Sequence, residues 1–265
     1  MDLQLRGKRA IVTGASRGIG RAIARSLAAE GVDVALAARS PGPLEEAAAD
    51  IAASTGARTV AVPTDTGDDE SVKALVARTV DELGGVDILV NNASNQEIGK
   101  GFPRLADTTD DAVWGDLNVK VFGYLRAARA VSPLLVDQGW GRIINVSGLG
   151  ARQSLSIART IRNVSVAALT KNLADELGQH GVNVTVVHPG ATRTEKTAAG
   201  LAAQVGATGR SIEEVERLHA HNGINRLVEA SEVADVVVFL ASPRSVAING
   251  DAVAVGGGRL GDVHY

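Results

Sequence analysis

The residues best suited to chemistry stand near the start of the chain, where Thr13-Gly14-Ala15-Ser16-Arg17-Gly18-Ile19-Gly20 separates a Val/Ile run from a stretch of helical period. Glycines at this spacing let a backbone turn tightly. They also let a diphosphate approach the first N–H groups of a helix, whose dipole favours anions. Clustered glycines alone describe any turn, but their position between a strand and a helix makes this one a nucleotide-binding loop. Gly14, Ser16, Arg17, Gly18, Ile19 and Gly20 are the first candidate binding residues.

Such a loop needs a strand before it and a helix behind it, and the rest of the chain repeats that alternation. Short Val/Ile/Ala runs at Arg9–Thr13, Asp33–Ala37, Thr59–Pro63, Ile88–Asn91, Arg142–Val146, Asn183–Val187 and Ala252–Val255 read as buried strands. Helical periods lie near Gly18–Ala29, Leu44–Ser54, Asp69–Leu83, Asp110–Val136, Val164–Leu177 and Ser231–Leu240. Asp68 precedes an acidic first turn, and Gly31, Gly84 and Gly181 follow helices where a left-handed cap would sit. The pattern predicts one α/β domain over 1–265, a Rossmann-type doubly wound parallel sheet of about seven strands with helices on both faces. The segment 192–225, Ala/Gly-rich and then charged, breaks the alternation and reads as a substrate lid.

Composition narrows the function classes. Lys+Arg number 27 against 30 Asp+Glu, a net charge of −3, which argues against a nucleic-acid arm or a polybasic membrane patch. No apolar run approaches the roughly 18 residues that span a bilayer, and Met1 to Lys8 has no signal-like apolar region, so a soluble cytoplasmic protein is expected. Absence of cysteine excludes disulfides, thiolate metal sites and cysteine nucleophiles.

With TGxxxGIG at Thr13–Gly20, the sequence resembles the classical short-chain dehydrogenase/reductase family along essentially its whole length. Asp65 follows the third strand, where the family places an acid against adenine. Asn91-Asn92-Ala93 resembles the family's NNAG, with Ser94 in place of the final glycine, and Asn118 matches the asparagine of the catalytic tetrad. His188-Pro189-Gly190-Ala191-Thr192-Arg193-Thr194 looks like the PGxxxT segment that contacts the nicotinamide amide, and Asn249-Gly250-Asp251 with Val255-Gly256-Gly257-Gly258 like the closing strand and loop. The resemblance implies that Asp65, Asn91, Ala93, Pro189, Gly190, Thr192 and Thr194 bind cofactor beside the glycine turn. An NAD-preferring member presents a carboxylate to the ribose 2′-hydroxyl near Ala38; here none exists and Arg39 follows. The planar fork of Arg39 suits a 2′-phosphate, and Arg17 can approach from the other side, so NADP(H) is expected.

The catalytic positions depart from the family. Its proton donor is a tyrosine, tuned by a lysine one helical turn later, with a serine holding the carbonyl oxygen. The only tyrosines here are Tyr124, followed by Ala128 at the fourth place, and Tyr265, the last residue; no YxxxK exists. Counting back from Leu169-Thr170-Lys171 puts Arg159 at the tyrosine position and Asn163 at the lysine position; the serine position falls on Gly148, beside Ser147. The candidate catalytic set is Asn118, Ser147, Arg159 and Asn163. An arginine does not give up its proton near neutrality but can steady an oxyanion. His219 and His221 in the lid are substitute proton donors or simply solvated, His188 reads as structural, and His180 faces water at a helix end. Val263-His264-Tyr265 is placed to reach a neighbouring subunit's site, as tails of some tetrameric relatives do.

Arg126, Arg129, Arg152, Arg159 and Arg162 gather near the expected site. They read either as surface arginines paired with carboxylates, the simpler account, or as a pocket for an anionic substrate such as a carboxylate or an acyl-thioester carrier's phosphate. Three functions follow: an oxidoreductase acting on the carbonyl or alcohol of a small molecule with an altered proton relay, a nucleotide-binding sensor or non-catalytic subunit, or a non-redox lyase or isomerase. No metal is implied. The resemblance also implies a homodimer or homotetramer in which the long helices pair across a two-fold axis, with Val121, Leu125, Ala128 and Val131 as the candidate stripe.

Overall fold

In the computed structural model, which describes residues 1–95, 103–154 and 156–261, the seven expected strands form a single sheet. They are β1 (Arg9–Thr13), β2 (Asp33–Ala38), β3 (Thr59–Pro63), β4 (Ile88–Asn91), β5 (Gly141–Val146), β6 (Val182–Pro189) and, last in the chain, β9 (Ala252–Val255). Their order is β3-β2-β1-β4-β5-β6-β9, and every pairing is parallel. The strands are continuous Val/Ile/Ala runs because both faces of the sheet are covered.

On one face, Ile23, Ala24 and Leu27 of α1 (Gly18–Ala29), Leu44 and Ile51 of α2 (Pro41–Thr55) and Val237 of α9 (Ala230–Ala241) bury against Val12, Val34 and Val90. On the other, Val72 and Leu75 of α3 (Asp69–Leu83), Val131 and Leu135 of α5 (Gly123–Asp137) and Leu177 of α6 (Ile157–Leu177) cover Ile11, Leu89 and Ile143. With so few aromatics, the small Ala and Val side chains set this packing. The helices end where the sequence indicates. Asp68 accepts a hydrogen bond from Glu70 N at 3.2 Å, and Gly31, Gly84 and Gly181 take φ of 81°, 84° and 77°.

Several boundaries differ from the sequence reading. The expected Asp110–Val136 helix is α4 (Asp110–Leu117) and α5 joined by a π-turn over Asn118–Phe122. α6 begins at Ile157 rather than Val164, because the Ser156 hydroxyl caps it by accepting from Arg159 N. The segment 192–225 is built as β7 (Thr192–Arg193), α7 (Glu195–Thr208) and α8 (Ile212–Ala220), and β7 pairs in parallel with β8 (Val228–Glu229). The start of α8 was written in the sequence as Ser-Ile-Glu-Glu. Ser211 and Glu214 form a reciprocal capping box. Arg193 bonds Glu216 and Glu229, tying β7 to α8 and β8.

Candidate functional site

The chain order reverses between β1 and β4, so the connections from these neighbours leave in opposite directions and open a crevice at the carboxyl edge of the sheet. A cleft of about 780 Å³ lies there. Each strand end contributes to its wall: the glycine turn after β1, Arg39 after β2, Asp65 after β3, Ala93 after β4, Ser147 after β5 and Pro189-Gly190 after β6.

The glycine turn is held from below. Thr13 Oγ1 accepts from Asn92 N at 2.9 Å and Ala93 N at 3.1 Å, and Asn92 Nδ2 donates to Thr13 O and Gly14 O at 3.1 and 3.2 Å. Gly14 and Gly18 have φ of 66° and 58°, a region that disfavours side chains. Gly20 has another reason: a Cβ there would stand 2.2 Å from Gly14 O and 2.5 Å from Asn92 Nδ2. The N-terminal N–H of α1 at Gly18 donates to the Glu195 carboxylate at 3.2 Å, so a carboxylate from β7–α7 already occupies this helix end as an anion. That contact tests the fit of the loop to an anion: the Gly18 N–H donates to a carboxylate oxygen. Arg17 and Arg39 are exposed at the cleft, and Ala38 leaves no carboxylate beside Arg39.

Gly14, Ser16, Arg17, Gly18, Ile19, Arg39, Asp65, Ala93, Ser147, Arg159, Asn163, Pro189, Gly190, Thr192 and Thr194 all line this cleft. Three named residues stand behind it. Gly20 supports the turn by its lack of a side chain. Asn91 is buried, and its Nδ2 donates at 2.9 Å to Asn145 Oδ1, which belongs to a relay running through Asn145 Nδ2 to Thr170 Oγ1 on α6. Its neighbour Asn92 lines the cleft instead. Asn118 is spent on structure: its Oδ1 accepts from Arg126 Nη2 at 2.8 Å and its Nδ2 donates to Gly67 O at 3.2 Å.

The catalytic end of the cleft lies between the π-turn, the end of β5 and the first turns of α6. Ser147 Oγ donates to Asn163 O at 3.1 Å, with Asn163 Oδ1 at 3.3 Å. Gly148 N donates to His188 Nδ1 at 3.4 Å, which gives the buried His188 the structural role expected of it. Arg159 lines the cleft one turn before Asn163; burial and the neighbouring Arg162 guanidinium lower its proton affinity, opposed by Asp116. Arg162 itself is buried and donates to Asp116 Oδ1 at 2.5 Å, joining α6 to α4.

Two of the other arginines are also engaged. Arg126 bonds Asn118 and Thr66 O, and Arg129 donates to Asp69 at 2.6 Å, so the carboxylate-and-backbone account describes them better than an anion pocket. Tyr124 is no proton donor to the cleft. It is fully buried, its OH donates to Val146 O at 2.9 Å, and burial raises its pKa. His219 is exposed and lines the cleft, while His221 caps the end of α8 with φ 42°. The 263–265 tail lies outside the described residues.

Sequence reasoning passed over Lys120. Only 4% exposed, it lines the cleft and its Nζ donates to Ser147 O at 2.8 Å. Burial and Arg162 pull it well below the ordinary lysine range, against the pull of Asp116. A lysine two places beyond Asn118, amid the apolar Val119, Val121 and Phe122, was the available signal.

A family model described as enoyl-(acyl carrier protein) reductase matches residues 14–259. The chain is 36% identical over 254 residues to the short-chain reductase protein NovJ of Streptomyces niveus, covering 94% of this chain and 93% of that protein. It is 35% identical over 263 residues to the 3-oxoacyl-[acyl-carrier-protein] reductase FabG of Vibrio harveyi, covering 97% and 98%. The crystal structure of L-sorbose reductase from Gluconobacter frateurii, complexed with NADPH and L-sorbose, superposes with a TM-score of 0.92 at 30% identity, covering 99% and 100%. A short-chain dehydrogenase from Burkholderia cenocepacia in complex with NADP superposes at 0.82 with 32% identity, covering 96% and 98%.

Proposed function

This chain belongs to the short-chain dehydrogenase/reductase family, and on that premise we propose that it is an NADP(H)-binding oxidoreductase acting on the carbonyl or alcohol of a small molecule. The observation that carries the cofactor choice is the pair of exposed guanidiniums, Arg17 and Arg39, at a cleft where Ala38 supplies no carboxylate. Their forks suit a 2′-phosphate, whereas a carboxylate there would repel one. The diphosphate belongs at the start of α1, on the donors that Glu195 now engages. In this reading Asp65 takes the adenine end and Thr192 and Thr194 the amide of the nicotinamide, a reading supported by their lining the same cleft. When bound, the nicotinamide supplies a hydride to a carbonyl carbon or takes one from an alcohol.

The chain's own residues then orient the substrate and manage its oxygen. Arg159 offers fixed positive charge to an oxygen that gains electron density, an electrostatic contribution distinct from proton transfer. Ser147 and Asn163, bonded to each other, form the polar floor. The β7–α7–α8 excursion, bridged by Arg193, serves as the lid over 192–225. Relatives acting on L-sorbose and on a 3-oxoacyl carrier support a carbonyl substrate, and the chain assembles as a homodimer or homotetramer.

A second reading keeps the cofactor and drops the chemistry: a nucleotide-binding sensor or non-catalytic subunit. Its specific support is the pair Arg159 and Asn163 where the family carries tyrosine and lysine. NADPH and NADH fluorescence titrations, followed in the same cuvette by a ketose and a β-ketoacyl thioester, separate the two. The oxidoreductase reading expects tight NADPH binding and its oxidation by a carbonyl; binding without turnover favours the second.

A further inference from the structure

The cleft holds a buried lysine, while the family's proton-donor position is occupied by Arg159. On the premise of the oxidoreductase reading, we propose that Lys120 is the catalytic acid, protonating the substrate oxygen from the α4–α5 side of the cleft where α6 carries no tyrosine.

The geometry supplies the reasons. Lys120 sits inside the π-turn of Asn118–Phe122, and such interruptions of an α-helix are frequent at functional sites. Its Nζ spends one N–H on Ser147 O. An ammonium has three, so two remain for the cleft that Lys120 lines together with Ser147, Arg159 and Asn163. The packed elements bring groups to it: Asp116 from α4, the Tyr124 ring at 6.0 Å from α5, Arg162 from α6, and the Ser147 carbonyl just after β5. Asp116, one turn before Lys120, is the carboxylate that would hold the ammonium charged, but its Oδ1 is engaged by Arg162 at 2.5 Å. A buried ammonium whose neighbouring carboxylate is already engaged by an arginine is less favoured in its charged form, so it gives up its proton more readily.

Three other cleft-lining groups are worse placed. Arg159 keeps its proton, the Ser147 hydroxyl is a weak acid already donating to Asn163, and His219 stands exposed on the lid helix. In the step itself, the carbonyl carbon receives a hydride from the bound reduced nicotinamide and the C–O π pair moves onto oxygen. An Nζ–H bond of Lys120 breaks, its proton completes the alcohol, and the neutral amine regains a proton from solvent.

The test uses the full chain and two variants, Lys120→Met, which removes the N–H groups, and Lys120→Arg, which keeps the charge but not the exchangeable proton. Of the six lysines, one is expected in a lysine-selective 13Cε/15Nζ NMR titration to titrate well below the ordinary lysine range, and that signal should vanish in Lys120→Met. Both variants should bind NADPH within about threefold of wild type while kcat falls about 100-fold or more. The wild-type rate should decline as pH rises through the titration of that lysine, and this limb should be absent in both variants. Lysines that all titrate together, a variant that keeps the rate and the limb, or a wild type that binds NADPH yet reduces neither carbonyl would each overturn the proposal. A wild type that does not bind NADPH removes the oxidoreductase reading, and the proposal with it.

Discussion

The predicted nucleotide preference rests on Ala38 and Arg39. Without a carboxylate to hold a ribose 2′-hydroxyl, and with a guanidinium in reach of a 2′-phosphate, NADPH should bind at least tenfold tighter than NADH, about 1.4 kcal/mol. Arg39→Asp should reverse that order in a fluorescence titration; equal affinities in the wild type would refute the assignment. A second residue-scale prediction concerns the family's absent pair. Arg159→Tyr with Asn163→Lys puts a phenol and an ammonium one helical turn apart on the cleft wall. Gly148→Ser adds a hydroxyl at a residue with φ 163°, an extended conformation open to any side chain, where a Cβ meets nothing closer than 3.5 Å. The combination should raise carbonyl reduction well above the sum of the single changes, because such groups act as a unit. Arg159→Tyr alone should add little, since an untuned phenol titrates near 10. Additive single effects in kcat/KM would count against the assignment.

Between elements, Glu195 at the start of α7 accepts a hydrogen bond from the first N–H of α1. A carboxylate at this helix end stabilises it by about 0.3–1 kcal/mol and must leave before a diphosphate settles there. Glu195→Gln is therefore expected to tighten NADPH binding by roughly two- to fivefold, read by titration at low salt. Unchanged or weaker binding would mean that Glu195 helps to hold the closed cleft. The α4–α6 junction depends on a different charge. Arg162 and Asp116 are both largely buried, and removing one partner of such a pair leaves the other uncompensated, at about 3–5 kcal/mol. Arg162→Leu should show that loss in the urea midpoint, with Asp116→Asn Arg162→Leu less destabilised than the single change.

For the whole molecule, the apolar surface carries a prediction about association. Of the stripe read from sequence, Ala128 and Val131 are fully buried against the chain's own sheet and are unavailable to a partner. The exposed apolar residues of the long helices are instead Trp114 and Phe122, whose rings stack at 6.3 Å, and Ile157, Ile161 and Val164 on α6. Hydrophobic side chains grouped on adjacent helices mark an association face. Light scattering should return twice or four times 27.2 kDa, and Ile161→Glu with Val164→Glu should lower that mass. A monomeric wild type would exclude the arrangement. Among the described residues no helix is long and apolar enough to cross a membrane.

Sequence alone determined the seven strands, the caps at Asp68, Gly31, Gly84 and Gly181, and the glycine turn, because each rests on interactions within a few residues. A Val/Ile run, a helix cap and a positive-φ glycine are local preferences that folding here left in place. It also placed most of the cleft wall, since the doubly wound order puts every strand's carboxyl end on one edge. Tertiary structure decided the rest. Asn91 and Asn118 turned inward because partners 54 residues away in one case and 51 in the other claimed their amides. Glu195 met Gly18 across 177 residues, and Arg162 drew Asp116 across 46. Lys120, which sequence reasoning passed over, gains its setting only from that last pairing, the π-turn and the Ser147 carbonyl. Which side chain faces the cleft, and with what charge beside it, depends on distant elements meeting, and no local pattern encodes that.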